Sequence, residues 1–352
     1  MRYKHNGFFG ILNMLAIAAC MLTSCNHGYK NPKPDISHIP ETKIELVRLE
    51  KLLFTAGPEN YNQVYDQIRT QHPDIFQSLT ENFWGLTVSD SLPLQKVYDS
   101  LYANTAGNQW MRQLYDSCML MYDKMDDVEA SLSEAFRYYR YYFPDSALPQ
   151  LYTYTGPFVY WTMFDSVTLG IELDMHLGPH FGYYGSYESN MPLYITIRCD
   201  KPYIQTNVMQ SLVDGVVPSW GADATVLDEM LRYGKILYYL DCMLPDVPDS
   251  IKMGYTDAQI EWCYDNESEI WKFLAGEDLL FSKRTDDMRR YLGEAPNSQG
   301  MPEESPGRAA IWTGWQIIRT YMEENPDITL SELFLQMDAM RILKDADYNP
   351  ED

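Results

Sequence analysis

The chain has 352 residues, with 50 acidic against 27 basic side chains and a net charge of −23. That balance argues against nucleic acid or anionic lipid headgroups as the main partner, and leaves a basic protein surface or a divalent cation open. Aromatic residues make up 14%, including 28 tyrosines and 8 tryptophans, which supplies a core and excludes disorder of the chain as a whole.

Residues 1–24 read as a signal peptide. Arg2 and Lys4 form a basic start, residues 8–21 are apolar, and Leu22-Thr23-Ser24 precede Cys25. The apolar run is too short and too early for a spanning helix, and no later stretch approaches the roughly 18 apolar residues that a span needs. Leu22-Thr23-Ser24-Cys25 resembles a lipobox, in which cleavage before the cysteine leaves Cys25 as the lipid-bearing N-terminus. The plainer reading is a secretory signal with an incidental cysteine. Asn26 is not the Asp that resembles an inner-membrane retention signal, and residues 26–29 lack an acidic run, so the expected address is the periplasmic face of the outer membrane. Cleavage leaves 328 residues, 25 basic and 50 acidic, with a balance of −25.

Residues 25–42, rich in Pro, Asn and Lys, read as a tether, and residues 43–352 as a single domain. Residues 44–54 begin with strand-like alternation and turn helical. Helical spacing recurs over 59–83, with a break at Pro73, then over 91–102, 107–124 and 128–142. After Phe143-Pro144-Asp145 the pattern changes. Residues 152–171 and 193–198 are aromatic and β-branched, which predicts a small central sheet.

The next long segment, residues 222–245, predicts one buried helix. Thr225 and Asp228 have capping spacing, Pro245 closes the segment, and apolar residues go most of the way round. Four charges interrupt it. Asp228, Arg232 and Lys235 fall on one stripe, with Glu229 one turn before Arg232. The plain reading is a salt-bridged stripe that holds the helix in place. Thr256 and Gln259 form a capping box for a helix to about residue 273. A loop over 293–307 precedes a helix over 308–324.

Four cysteines follow Cys25: Cys118, Cys199, Cys242 and Cys263. They allow three complete pairings, with Cys242–Cys263 the first expectation and inert buried thiols the alternative.

Histidine is scarce. Asp174, His176 and His180 are the set that could converge on a metal from a loop, although Gly178-Pro179 breaks any regular helix between the two histidines. Paired carboxylates such as Glu172 and Asp174 read as solvated surface. Neither a GxSxG nucleophile motif nor a phosphate-binding glycine loop is present.

The lipobox at Cys25, Phe143-Pro144-Asp145, the segment 169–178 (LGIELDMHLG), Tyr233-Gly234-Lys235, Gly254-Tyr255-Thr256, and Gly307-Arg308 through Gly314-Trp315-Gln316 together resemble the gliding motility-associated lipoprotein GldB family, over nearly all of the mature chain. The family is distantly similar to zinc-dependent HExxH peptidases. The resemblance therefore implies an α+β, mostly α-helical fold, with a zincin-like helical body and a small central β-sheet. The five residues corresponding to HExxH are Asp228-Glu229-Met230-Leu231-Arg232. Only the glutamate remains, so no catalytic residue carries over.

The expected function is that of a noncatalytic lipid-anchored envelope protein, without a cofactor. It would bind a peptide or protein of the motility or secretion machinery, with Asp228, Glu229, Arg232 and Lys235 at the lost metal position of a peptidase-like cleft. The competing expectation is a divergent metal-dependent hydrolase with Glu229 as base and Asp174, His176 or His180 as ligands.

Overall fold

The computed structural model describes residues 29–350 apart from 166, 187, 188 and 277. The chain divides into two units, Met1–Asn31 and Pro32–Asp352. All elements below belong to the second. The signal peptide and Cys25 lie outside the described residues.

The body opens with a short strand, β1 (Val47–Arg48), and then helices α1 (Leu49–Leu53), α2 (Tyr61–Gln71), α3 (Pro73–Gln77), α4 (Leu94–Asn104), α5 (Gln109–Tyr122) and α6 (Asp126–Tyr142). Pro73 occupies the first turn of α3, where its missing N–H removes no helical hydrogen bond, so the chain breaks there and restarts. Asn108 caps α5 by accepting from the N–H groups of Trp110 and Met111 at 2.9 and 3.2 Å. Part of the segment read as a tether lies along α6. Arg137 donates to the carbonyls of Ile36 and Ile39 at 3.0 and 3.4 Å, and just beyond the segment Ile44 N–H donates to Ser133 at 3.0 Å. Ile36, Thr42 and Ile44 are buried there.

Strands β2 (Gln150–Tyr154), β3 (Thr162–Asp165) and β4 (Thr168–Glu172) join β1 in a mixed sheet of order β1-β2-β4-β3. β1 and β4 run parallel to β2, while β3 runs antiparallel to β4, with Tyr152 opposite Gly170 and Met163 opposite the same glycine. This order makes residues 155–161 cross the end of β4 to pass from one of its flanks to the other.

The expected strand at 193–198 is instead a helical turn, α7 (Leu193–Thr196). Pro192 leads into it, and Ile197 N–H closes the turn on the carbonyl of Leu193 at 3.1 Å. Alternation would have placed Leu193 inside, whereas it is 72% exposed.

Helices α8 (Tyr203–Val213), α9 (Val226–Met243), α10 (Asp249–Met253), α11 (Asp257–Asp265), α12 (Glu267–Gly276), α13 (Thr285–Leu292), α14 (Ala309–Glu324), α15 (Leu330–Leu335) and α16 (Ala339–Ala346) complete the body. Thr225 and Asp228 form the expected capping box of α9, and Thr256 with Gln259 that of α11. The helix predicted to reach residue 273 breaks at Asn266, whose side chain donates back to the carbonyl of Trp262 at 2.8 Å.

α9 is buried along most of its length, and α14 lies against it. The contact is backbone on backbone. A Cβ on Gly234 would sit 2.4 Å from the carbonyl oxygen of Gly314, and one on Gly314 would sit 2.1 Å from that of Met230. Cys118, Cys199, Cys242 and Cys263 are all buried and free, so the expected Cys242–Cys263 disulfide is not formed. The fold is α+β and mostly helical, with a small mixed sheet.

Candidate functional site

The four charges of α9 part company in three dimensions. Asp228 belongs to the cap, its Oδ2 accepting from the N–H and hydroxyl of Thr225 at 2.8 and 2.7 Å. Glu229 pairs with Arg232 at 2.8 Å, and the Arg232 guanidinium lies 4.2 Å from the centre of the Tyr233 ring. These residues do not fit a zinc ion: the first ligand position is held by the cap, and the second carries a cation.

Lys235 is fully buried. It donates to the carbonyl of Gln336 and lies 5.0 Å from the Trp220 ring centre, while Trp220 itself donates to the carbonyl of Met337 at 2.8 Å. Together they strap the segment between α15 and α16 to the central helix. Burial lowers the Lys235 ammonium from 10.5 to about 8. The unfolded chain therefore holds a proton between pH 8 and 10.5 that the folded chain has released, and stability rises with pH across that window. The buried cysteines, whose thiols burial pushes up, act in the opposite sense at alkaline pH, so the Lys235 contribution is read as a difference: urea titrations of the native chain and Lys235→Met should diverge by roughly 3 kcal/mol across the window, the variant losing more stability as pH rises.

Glu172 and Asp174 overturn the expectation of a solvated surface, for both are fully buried. They hold the loop that crosses β4. Glu172 accepts from the N–H groups of Val159 and Tyr160, each at 2.9 Å. Asp174 accepts from those of Gly156 and Phe158 at 2.7 and 2.9 Å. The loop has no ladder of its own, so these carboxylates supply its acceptors. Burial raises both acids, and the Glu172 carboxylate pushes Asp174 higher still.

His176 packs beside them, with its Nδ1 2.9 Å from the carbonyl of Glu172 and its Nε2 3.0 Å from the Asn207 amide nitrogen. That places the proton on Nδ1 and leaves Nε2 to accept from Asn207. His180 is exposed, and no group of three His, Cys, Asp or Glu side chains among the described residues could hold a metal ion. Asp174, His176 and His180 therefore do not converge on a metal.

Burial lowers His176 from 6.5 to about 4. As pH falls through that interval the unfolded chain takes up a proton that the folded chain refuses, so stability falls with it, by roughly 3 kcal/mol in all. Comparing the native chain with His176→Gln by urea midpoint against pH should show a shallower acid slope in the variant, whatever its stability at neutral pH.

A different group of residues lines a cavity of about 310 Å³ between α8, α9, α10 and the loop that follows α13. Arg198 and Arg308 share one carboxylate there. Arg198 Nη2 lies 2.9 Å from Glu294 Oε1, and Arg308 Nε lies 3.5 Å from Glu294 Oε2. Arg308 also donates to the carbonyl of Met253 at 2.6 Å. Its backbone adopts φ 65°, a left-handed conformation that costs about 1–3 kcal/mol in a residue other than glycine.

Gly254, at φ 74°, lets the Arg198 stem pass: a Cβ there would lie 2.5 Å from Arg198 Cδ. Burial, with the like charge of Arg308, holds Arg198 below the usual guanidinium range in spite of Glu294. Arg198 Nε and the Thr206 hydroxyl are buried without a hydrogen-bond partner among the described residues. Ile236, Leu237, Ile251 and Ile311 supply apolar wall. Sequence reasoning missed this site. Its one local signal is Gly307-Arg308 immediately before α14, and the strand-like composition of residues 193–198 hides Arg198.

The fold and this cavity define a mostly helical α+β body with a cationic recess set in an acidic chain. The family model described as gliding motility protein GldB matches residues 29–350, and the chain belongs to that family. Membership implies a gliding motility-associated lipoprotein of the cell envelope. No curated protein and no solved structure matches the chain. No helix among the described residues is long and apolar enough to cross a membrane.

Proposed function

We propose that this protein is a noncatalytic binding component of the envelope machinery for motility or secretion, held through Cys25 on the periplasmic face of the outer membrane and receiving a segment of a partner protein in the Arg198–Arg308 cavity. The observation that carries this reading is the recess itself. Two guanidiniums around one carboxylate, beside apolar wall, suit recognition of an oriented ligand. The hydrolase alternative finds less support, because its base, Glu229, is tied to Arg232. In this proposal the α9 stripe of Asp228, Glu229, Arg232 and Lys235 supports the cavity wall and the neighbouring 336–338 segment, and does not contact the ligand.

A photoreactive amino acid at Leu292, on the cavity lining, should crosslink to an envelope protein in intact cells, and a chain that crosslinks to nothing would contradict the proposal. Membrane fractionation with protease protection of intact cells should place the chain with the outer membrane and shield it from external protease.

A further inference from the structure

We infer that the cavity takes a free carboxylate carried next to an apolar group, as at a peptide C-terminus, between Arg198 and Arg308. This inference rests on the binding reading above and names the ligand chemistry of that site.

Charge comes first. Arg198 and Arg308 face one acid, Glu294, so the recess keeps an uncompensated positive charge in a chain of net charge −23. Lys252, the third cation at the cavity, adds nothing to this excess because Asp241 holds it at 2.7 Å.

Glu294 already shows how a carboxylate is gripped, one oxygen on each arginine. Its side chain is 40% exposed and comes from the loop between α13 and α14, so it can turn out to solvent and give up its place. Paired guanidiniums bind planar two-oxygen anions with good geometry. Leu237 and Ile311 beside them accept an apolar side chain, which a bare inorganic anion would leave unused. Glu294 thus acts as an internal competitor for the ligand.

Calorimetric titration of the full mature chain in detergent tests this directly. The probes are acetyl-Ala-Leu, its C-terminal amide, isovalerate and inorganic phosphate. The free acid should bind at least about tenfold more tightly than the amide, the scale of one charge-assisted hydrogen bond. Glu294→Gln should tighten the acid further by removing the competitor, and Arg198→Gln should abolish the preference for acid over amide.

Isovalerate binding as well as the dipeptide would support the carboxylate grip with a free small acid as its source. Equal affinity for acid and amide, tighter binding of phosphate, or no binding of any carboxylate would overturn the inference. The acid-against-amide comparison needs no variant, so a misfolded variant cannot decide it. Should the inference fail while the Leu292 crosslink persists in Arg198→Gln cells, partner binding stands without carboxylate recognition; loss of the crosslink in the native chain would sink the binding reading itself.

Discussion

Gly314→Ala is expected to cost about 3 kcal/mol or more and to leave little folded protein at physiological temperature. Two effects compete at this position. Alanine is the better helix former by about 1 kcal/mol, which alone would stabilise α14. Against that, the new Cβ would lie 2.1 Å from the carbonyl oxygen of Met230 and 2.5 Å from its carbon. Those are backbone atoms of a buried helix, so no side-chain rotation relieves the clash. The helices must separate, and with them Trp312 and Trp315, both fully buried on α14.

Gly234→Ala should behave alike, since its Cβ would meet the Gly314 carbonyl oxygen at 2.4 Å. Gly215→Ala meets nothing within 4 Å and serves as the control, with an expected change within about 0.5 kcal/mol. Urea denaturation of the three variants checks this ranking. A Gly314→Ala chain as stable as the native one would show that α9 and α14 do not approach so closely.

What could be read from the sequence was local. Thr225 with Asp228, and Thr256 with Gln259, announce their helices because a capping box lies within four residues, and the structure forms both. Pro73 breaks its helix for an equally local reason. The family, too, is legible from motifs strung along the chain.

The misses share a cause: each depends on neighbours distant in sequence. The run 193–198 has strand composition, but whether it pairs depends on a free sheet edge, and here Pro192 starts a helical turn instead. Glu172 and Asp174 look like surface acids until residues 155–161 are seen to cross above them and donate four N–H groups. Arg198, Glu294 and Arg308 come from three separate segments, and nothing in any one of them announces the others. The α9 charges stand out because they are close in sequence, yet among them only Glu229 and Arg232 pair.

The second large effect is expected at Asp241, where Asp241→Asn should cost about 3–5 kcal/mol. Its carboxylate is fully buried and receives four donors: Lys252 Nζ at 2.7 Å, Trp315 Nε1 at 2.8 Å, and Arg319 Nε and Nη2 at 2.8 and 2.9 Å. Asp249 completes the group, 2.8 Å from Arg319 Nη1, so two acids balance two cations among α9, α10 and α14. Burial works against the Asp249 charge, but Arg319 and Lys252 hold it below the usual carboxylate range.

Asparagine keeps the shape of Asp241 and removes its charge. Lys252 and Arg319 are then left, both buried, with one partner between them, and an unpaired buried charge is far more costly than a missing neutral hydrogen bond. Adding Lys252→Met removes one of the two cations, so the Arg319–Asp249 pair is balanced again and the double variant should recover at least about 1 kcal/mol relative to the sum of the single changes. Strict additivity in that cycle would mean that Asp241 acts through packing alone. The same network requires the Gly234–Gly314 crossing, because Trp315 and Arg319 reach Asp241 only while α14 lies directly on α9. Combining Gly314→Ala with Asp241→Asn should therefore cost less than the sum of the two: once the helices part, the carboxylate has already lost its partners.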